Sequence, residues 1–529
     1  MLLQAGREIK TFAIQGSPFP IPNESQQTAL SKALGQQFTI IQGPPGTGKT
    51  VTGAHLTHFF IEVNKQLPDF GKGPPQVLYC GPSNKSVDVV ADYLLRLGVS
   101  AIRVYNNVIE QQDYPIPGQS GRTIKAKSSK ETQVDPRLKS ISLHHLIRSP
   151  ERKRDNRHIE RILFFEHKFK TPGYKITFDV VDEYRRTIHA AEAEELSKYK
   201  VVLCTCNEAG SMRIQRHVNI IQCIVDEAGM CNEPETLIPL VGTIKIKGED
   251  EPGRPRRREI KREPRQVVLI GDHKQLRPII QERTAVQLGM ETSLIEKYKG
   301  DAIMLTIQYR MHESICAFPS KMFYEGKLLT ADSVKKRPQQ LNRTWPGGQG
   351  KPLVFCHHIG TEEKQSVRTE EGNEQSRANP QEVKHVVRIA SHMVRHLRVQ
   401  QDRIVILTQY RLQRAMIAEE LKKADLGYIA VSTVITSQGK EWDYVIMSTV
   451  RSLPEVEIDE KPSTAWKKRN LGFITDENQI NVAITRPRMG LIILGNKTLL
   501  RVHSTWKRLL SHYEDRNAVV DAKDFPKLA

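Results

Sequence analysis

Short apolar runs rich in β-branched residues recur along the chain. Each is closed by small or polar residues, and many are followed by stretches of helical periodicity. The first, Phe38–Gln42, leads into a glycine-rich turn and then into Val51, Thr52, Gly53, Ala54, His55 and Leu56, the opening of a helix. Further strands are expected at 77–80, 201–206, Ile220–Val225 and 267–270, and a helix at 87–97. From 305 onward the rhythm repeats, with strands at 353–356, 404–407, 431–434, 444–448 and 491–495 and amphipathic helices at 381–396 and 413–424. Strands alternating with helices predict an α/β protein with parallel sheets. The alternation lapses between 104 and 198, where helices are expected at 159–168 and 178–198. Lys125, Lys127, Lys130, Arg137, Lys139, Arg148, Arg152, Lys153, Arg154 and Arg157 make that stretch basic, with a loop over 115–140. The polar stretches 245–265 and 361–378 read as surface loops. No run of 18 apolar residues occurs, so no membrane-spanning helix is expected, and the first seven residues lack the apolar core of a signal peptide.

The turn after the first strand is Gly43-Pro44-Pro45-Gly46-Thr47-Gly48-Lys49-Thr50. Strand, glycine-rich turn and helix form the setting of a phosphate-binding loop. Its glycines let successive N–H groups converge on phosphate oxygens, and the helix start adds partial positive charge. Lys49 suits the outer phosphates and the Thr50 hydroxyl suits Mg2+. The run Ile220–Val225 ends in Asp226 and Glu227, where adjacent carboxylates are costly unless used. Asp226 can hold Mg2+ through water, and Glu227 can deprotonate an attacking water. Gln26 lies three residues after Asn23 and reads as part of a helix capping box, with adenine recognition as its functional alternative. Ser83 and Asn84 follow the 77–80 strand, at the sheet end where ligands of open α/β folds bind.

The 529 residues carry a net charge of +19, which suits nucleic acid as a partner and equally suits a merely well-solvated surface. The seven cysteines lack metal-ligand spacing. They read as buried, reduced thiols of a cytoplasmic or nuclear protein.

Taken in order, the pieces resemble a superfamily 1 helicase. They are Gln26, the loop at 43–50, the run from Gly81 to Ser86, Thr205, Asp226-Glu227-Ala228-Gly229, the run from Gly271 to Pro278, Gln308-Tyr309-Arg310-Met311-His312, Ser437-Gln438-Gly439-Lys440-Glu441 and Asn481-Val482-Ala483-Ile484-Thr485-Arg486. The wording of the Gly271, Gln308 and Asn481 strings is similar to the up-frameshift (nonsense-mediated decay) branch. The resemblance implies two tandem RecA-like P-loop domains, 1–303 and 304–529, with a helical basic insertion at about 104–198 and ATP hydrolysed between the domains. It implies that Gln26 reads adenine, that Gly43, Pro44, Pro45, Gly46, Thr47, Gly48, Lys49 and Thr50 hold the phosphates, and that Thr50 and Asp226 hold Mg2+. Glu227 is then the catalytic base, Lys49, Gln275, Arg310 and Arg486 act on the γ-phosphate, Tyr309 lies near the base and Glu441 near the ribose. Ser83, Asn84 and Thr205 fall where the family touches the nucleic-acid backbone.

The implied activity is 5′ to 3′ ATP-dependent translocation on single-stranded nucleic acid, RNA in preference to DNA, with protein partners in a ribonucleoprotein or transcription assembly. An ATP-gated RNA clamp or coactivator module would use the same residues. A P-loop kinase or GTPase would leave the second α/β unit unexplained. Gly229 stands where relatives often carry Thr, Ser or Ala. The β-barrel that precedes the first domain in many relatives is missing, which implies a short form or a piece of a longer protein.

Overall fold

The computed structural model describes every residue except 68–72, 117–132, 248–256, 338–344, 346–351, 370–371 and 527–529. The first half contributes β1 (Phe38–Gln42), β2 (Gln76–Gly81), β3 (Ala101–Arg103), β4 (Val201–Thr205), β5 (Ile220–Val225), β6 (Gly242–Lys247), β7 (Arg257–Arg262), β8 (Gln266–Gly271) and β9 (Ile303–Met304). Seven of these form one parallel sheet in the order β3-β4-β2-β5-β8-β1-β9. Its central strands are apolar on both faces, as a parallel sheet covered on both sides demands. Ile41, Tyr79, Leu203, Ile224 and Val268 belong to one core with Leu30, Leu56, Phe60 and Leu94 from the helices Glu24–Gly35, Lys49–Lys65 and Asn84–Arg96. The alternate residues Ile40, Leu78, Val202, Cys223 and Leu269 belong to the other.

That second core is closed by the stretch in which the alternation lapses. Leu143 and Leu146, Ile162 and Phe165 of helix Ile159–Lys170, and Tyr184 and Ile188 of helix Phe178–Leu196 all join it. Several basic residues of this stretch are held by carboxylates, Arg148 and Arg152 in the interior and Arg137 at the surface. Arg148 Nε donates to Glu166 at 2.5 Å, Arg152 Nη2 to the buried Glu195 at 2.5 Å, and Arg137 pairs with Asp135 at 2.7 Å. Lys125, Lys127 and Lys130 lie outside the described residues.

The chain divides into two compact units. One comprises Met1–Gly43, Gly48–His273 and Arg277–Leu305. The other comprises Thr306–Ala529 with the short loops Pro44–Thr47 and Lys274–Leu276. The second unit adds β10 (Ile307–Gln308), β11 (Leu329–Thr330), β12 (Leu353–His357), β13 (Glu363–Thr369), β14 (Gly372–Ala378), β15 (Ile404–Thr408), β16 (Ala430–Thr433), β17 (Trp442–Ser448), β18 (Pro487–Gly495) and β19 (Val519–Asp521). Six form a parallel sheet, β16-β15-β17-β18-β12-β19. Val354, Ile406, Ile446 and Ile492 pack in one core with Val386 and Ile389 of helix Pro380–Arg395 and Ile417 and Leu421 of helix Arg411–Lys423.

Three expectations are corrected. The polar stretches at 245–265 and 361–378 are not simple loops, since their described parts contain the antiparallel pairs β6–β7 and β13–β14. Backbone N–H and C=O groups pair whatever the side chains, so a charged stretch can form a two-stranded ribbon as well as a loop. The set of strands does not close at 491–495, because the three-residue β19 lies beyond it at the sheet edge. Cys206 opens a short helix rather than ending a strand, because Thr205 caps that helix by accepting from Glu208 N at 3.3 Å. The seven cysteines are all buried and none is in a disulfide. Among the described residues no helix is long and apolar enough to cross a membrane.

Candidate active site

Gly48 is the N-cap of helix Lys49–Lys65, and its φ of +80° is a left-handed conformation that favours glycine. Gly43 N donates to Gly271 O at 2.8 Å, tying the start of the loop to the end of the neighbouring strand β8. Lys49 Nζ donates to Gly43 O at 2.8 Å, and Thr50 is half-buried in the first helical turn, where unpaired amides and the helix dipole favour anions. Gln26 takes the capping role expected of it. Its Oε1 accepts from Asn23 N at 3.0 Å and Asn23 Oδ1 accepts from Gln26 N at 3.1 Å, a complete capping box. Its Nε2 lies 2.9 Å from where a Cβ on Gly48 would stand, so the amide borders the phosphate loop.

Strand β5 delivers Asp226, only 3% exposed, to the same sheet end. Asp226 Oδ1 accepts from Glu227 N at 2.8 Å and Oδ2 from the Tyr79 hydroxyl at 3.0 Å. Burial raises the Asp226 carboxyl to about 6, and the charge of Glu227 adds to the rise. The Glu227 amide, Lys49 and Tyr79 oppose it. Burial, and then the Asp226 charge, push the Tyr79 phenol well above its ordinary value, so it remains a donor. Glu227 holds φ +51°, strained for a residue with a side chain, and such strain concentrates at functional sites.

Tyr79 in turn needs Gly53. A Cβ on Gly53 would collide with the Tyr79 hydroxyl and come within 3.1 Å of its Cζ. Gly53→Ala should therefore cost about 1–3 kcal/mol in urea unfolding, as overpacked cores do. Adding Tyr79→Phe should recover part of that loss, giving a non-additive cycle. Gly229, the residue that differs from the usual pattern, has a similar reason, since a Cβ there would stand 2.9 Å from the Asp272 carbonyl oxygen.

Within the second unit, Gln308 is fully buried and shapes the turn that carries Tyr309 and Arg310. Its Oε1 accepts from Arg310 N at 2.8 Å and Met311 N at 2.7 Å, while Nε2 donates to Met311 O at 2.6 Å. Arg310 Nε donates to Glu441 at 2.5 Å and Nη1 to Thr485 O at 3.1 Å. Burial alone would raise the Glu441 carboxyl, but Arg310, Arg488 and Arg486 override it and hold Glu441 below the usual range. Arg486 is 1% exposed, donating to Val482 O at 3.0 Å, Lys440 O at 3.2 Å and Gln275 Oε1 at 3.2 Å. Gln275, Tyr309, Arg310, Glu441 and Arg486 thus fall in the second unit, as do Pro44, Pro45, Gly46 and Thr47 of the loop, and Tyr309 is 39% exposed.

Ser83 follows β2 and Thr205 ends the neighbouring strand β4, with Gly81 opposite Thr205, so both sit at one sheet end. Each caps a helix. Asn84 Oδ1 accepts from Nη2 of the buried Arg103 at 2.9 Å, which sets the amide's direction. Arg103 also pairs with Asp88 at 2.8 Å and lies 3.9 Å over the Tyr105 ring. Sequence reasoning missed Tyr79, Gly53 and Arg103, since each acts through a partner distant in the chain.

The two family models that match, both described as AAA domain, cover residues 22–283 and 289–498. The chain is 42% identical to the mouse (Mus musculus) 3'-5' exoribonuclease HELZ2 over 514 residues, 95% of this chain and 16% of that protein. It is 30% identical to the ATP-dependent helicase NAM7 of Saccharomyces cerevisiae over 518 residues, 95% of this chain and 45% of that protein. The chain belongs to the up-frameshift-type superfamily 1 helicases. It spans less than half the length of either relative. Among solved structures, S. cerevisiae Dbp5 bound to RNA and ADP BeF3 aligns over 96% of this helicase-family chain and 92% of its own, at 10% identity and a TM-score of 0.40.

Proposed function

We propose that this chain hydrolyses ATP to move along single-stranded nucleic acid, RNA in preference to DNA, in the 5′ to 3′ direction. The observation that carries the reading is the first unit's constellation, in which Lys49, Asp226 and Glu227 gather at the end of a parallel sheet beside a left-handed glycine and a helix start. That donor set suits a nucleotide with a divalent ion. Backbone amides and Lys49 match phosphate charge, and the Thr50 hydroxyl with the Asp226 carboxylate matches Mg2+. When bound, Mg2+ would neutralise charge on the β- and γ-phosphates. Glu227 takes the proton of the attacking water, and Lys49 holds the outer phosphates. Gln275, Arg310 and Arg486 counter the charge that develops at the γ-phosphate. Gln26 and Tyr309 hold the base and Glu441 the ribose, while Ser83, Asn84 and Thr205 contact the strand's backbone. Seven buried thiols suit a reducing compartment, the cytoplasm or nucleus.

The test is steady-state ATP hydrolysis with no strand, single-stranded RNA and single-stranded DNA at one salt concentration, alongside fluorescence strand displacement. Stimulation with displacement supports the motor. Stimulation without displacement supports the ATP-gated clamp, and no stimulation by either strand overturns both readings. The same products on a gel show whether the strand is shortened, the activity in the mouse relative's name.

A pH dependence follows from Asp226. Its carboxyl must be ionised to ligate Mg2+, and its value is raised to about 6, so protons compete below that. Half-saturating Mg2+ for turnover should be about tenfold higher at pH 5 than at pH 7 and level above pH 7. In the absence of metal the sign is reversed for stability. A raised carboxyl contributes fully below its unfolded value, and the contribution is lost as pH rises through about 6.

A further inference from the structure

In the first unit, remote in sequence from the phosphate loop, one carboxylate oxygen stands between two imidazoles. Asp113 Oδ2 lies 3.2 Å from His144 Nε2 and 3.0 Å from His145 Nε2, and the three ligand atoms fall within 4.8 Å of one another. Asp113 ends helix Asn107–Asp113, and the two histidines sit in the four-residue helix Leu143–Leu146. The two edges at Asp113 Oδ2, 3.2 and 3.0 Å, are close to the roughly 3.3 Å that a tetrahedral ion with bonds of about 2.0–2.1 Å sets between its ligands.

Hydrogen bonding alone leaves the cluster unsatisfied. With Asp113 ionised, both Nε2 atoms must be donors, so His144 Nδ1 becomes a bare acceptor. His144 is 1% exposed, and its Nδ1 has no hydrogen-bond partner. It faces Glu110 Oε1 at 3.8 Å, itself a buried oxygen without a partner. When Glu110 is ionised, two acceptors face each other in a buried site, which is unfavourable. A metal on Nε2 moves the proton to Nδ1 and aims it at Glu110, the carboxylate–histidine–metal relay that orients ligands in metal sites. His145 is provided for as well, since its Nδ1 lies 3.0 Å from the Tyr114 hydroxyl. The nearby cation Arg148, 4.3 Å over the Tyr114 ring, is neutralised by Glu166.

We propose that Asp113, His144 and His145 bind a zinc ion, with Glu110 and Tyr114 orienting the imidazoles. Two imidazole nitrogens and one carboxylate favour zinc over Mg2+ or Ca2+, and the half-exposed Asp113 side leaves a fourth position for water. The ion would join Asp113 to the helix Leu143–Leu146, whose Leu143 and Leu146 belong to the sheet's second core.

The test uses the whole untagged chain with ZnCl2 as the probe. Affinity is read by competition with a chromophoric chelator, and bound metal by elemental analysis after gel filtration. The expected result is one zinc per chain in the wild type and in Asp226→Asn, which removes the Mg2+ carboxylate. Asp113→Asn and His145→Ala, both at partly exposed positions, should weaken binding more than about 100-fold, and Glu110→Gln about tenfold. If His144→Ala unfolds, Asp113→Asn decides, because it preserves volume. Zinc binding no tighter than the chelator's weakest measurable range, or equal in wild type and Asp113→Asn, overturns the site.

Discussion

Glu227→Gln should bind ATP with wild-type affinity and turn it over about 10^2–10^4-fold more slowly, the range in which a positioned general base contributes. The substitution keeps the side chain's size and leaves the Glu227 amide on Asp226 Oδ1 undisturbed. It also removes the charge that helps raise the Asp226 carboxyl, so Asp226 should ionise more easily and Mg2+ binding should tighten or stay unchanged. The measurement is single-turnover hydrolysis beside equilibrium binding of a fluorescent ATP analogue. Lost affinity in step with lost turnover would move Glu227 from base to binding group. Wild-type turnover would remove the base assignment altogether.

Arg310→Ala should lower turnover about 10^3-fold or more, as removal of an arginine at a transferring phosphoryl group does. Arg310 is the informative arginine of the two. Its side chain is 12% exposed and holds Glu441 and one carbonyl, and Glu441 keeps a second arginine, Arg488, at 3.4 Å. The stability cost should stay near 1 kcal/mol, typical of ion pairs in contact with solvent. Arg486 is 1% exposed and donates to the Val482 and Lys440 carbonyls and to side-chain oxygens, so Arg486→Ala would strand buried acceptors and confuse folding with catalysis. The check is urea unfolding and ATP hydrolysis on the same preparation. A turnover loss under tenfold with an intact fold would place the γ-phosphate charge elsewhere.

Much of the chemistry was legible because it is local. A phosphate loop needs consecutive residues, so Gly43 to Thr50 announce themselves, and a carboxylate pair at a strand end needs only its preceding apolar run, Ile220–Val225. Strands buried on both faces are also local signals, which is why the principal strands of both sheets could be read before any coordinates. Residues that act through distant partners were silent. Tyr79 reads as one more apolar strand position until β2 and β5 pair and set its hydroxyl on Asp226. Gly53 reads as a weak helix residue until Tyr79 lies against it. Arg103 was hidden for the same reason, since a buried cation leaves no periodic trace, and the ribbons β6–β7 and β13–β14 fall in stretches whose charge reads as loop.

The sequence by itself determined the α/β class, the two sheets' worth of strands and the phosphate loop with its acidic strand end, because period, turn chemistry and motif spacing act over a few residues. Only the tertiary structure decided which groups share an environment. It turned the helical stretch after β3 into the wall of a sheet core, gave Arg148 and Arg152 to internal carboxylates, and brought Asp113 to two histidines some thirty positions away. Burial, and the desolvation that comes with it, belongs to the folded chain alone, and so do the raised Asp226 carboxyl and the unpartnered His144 nitrogen.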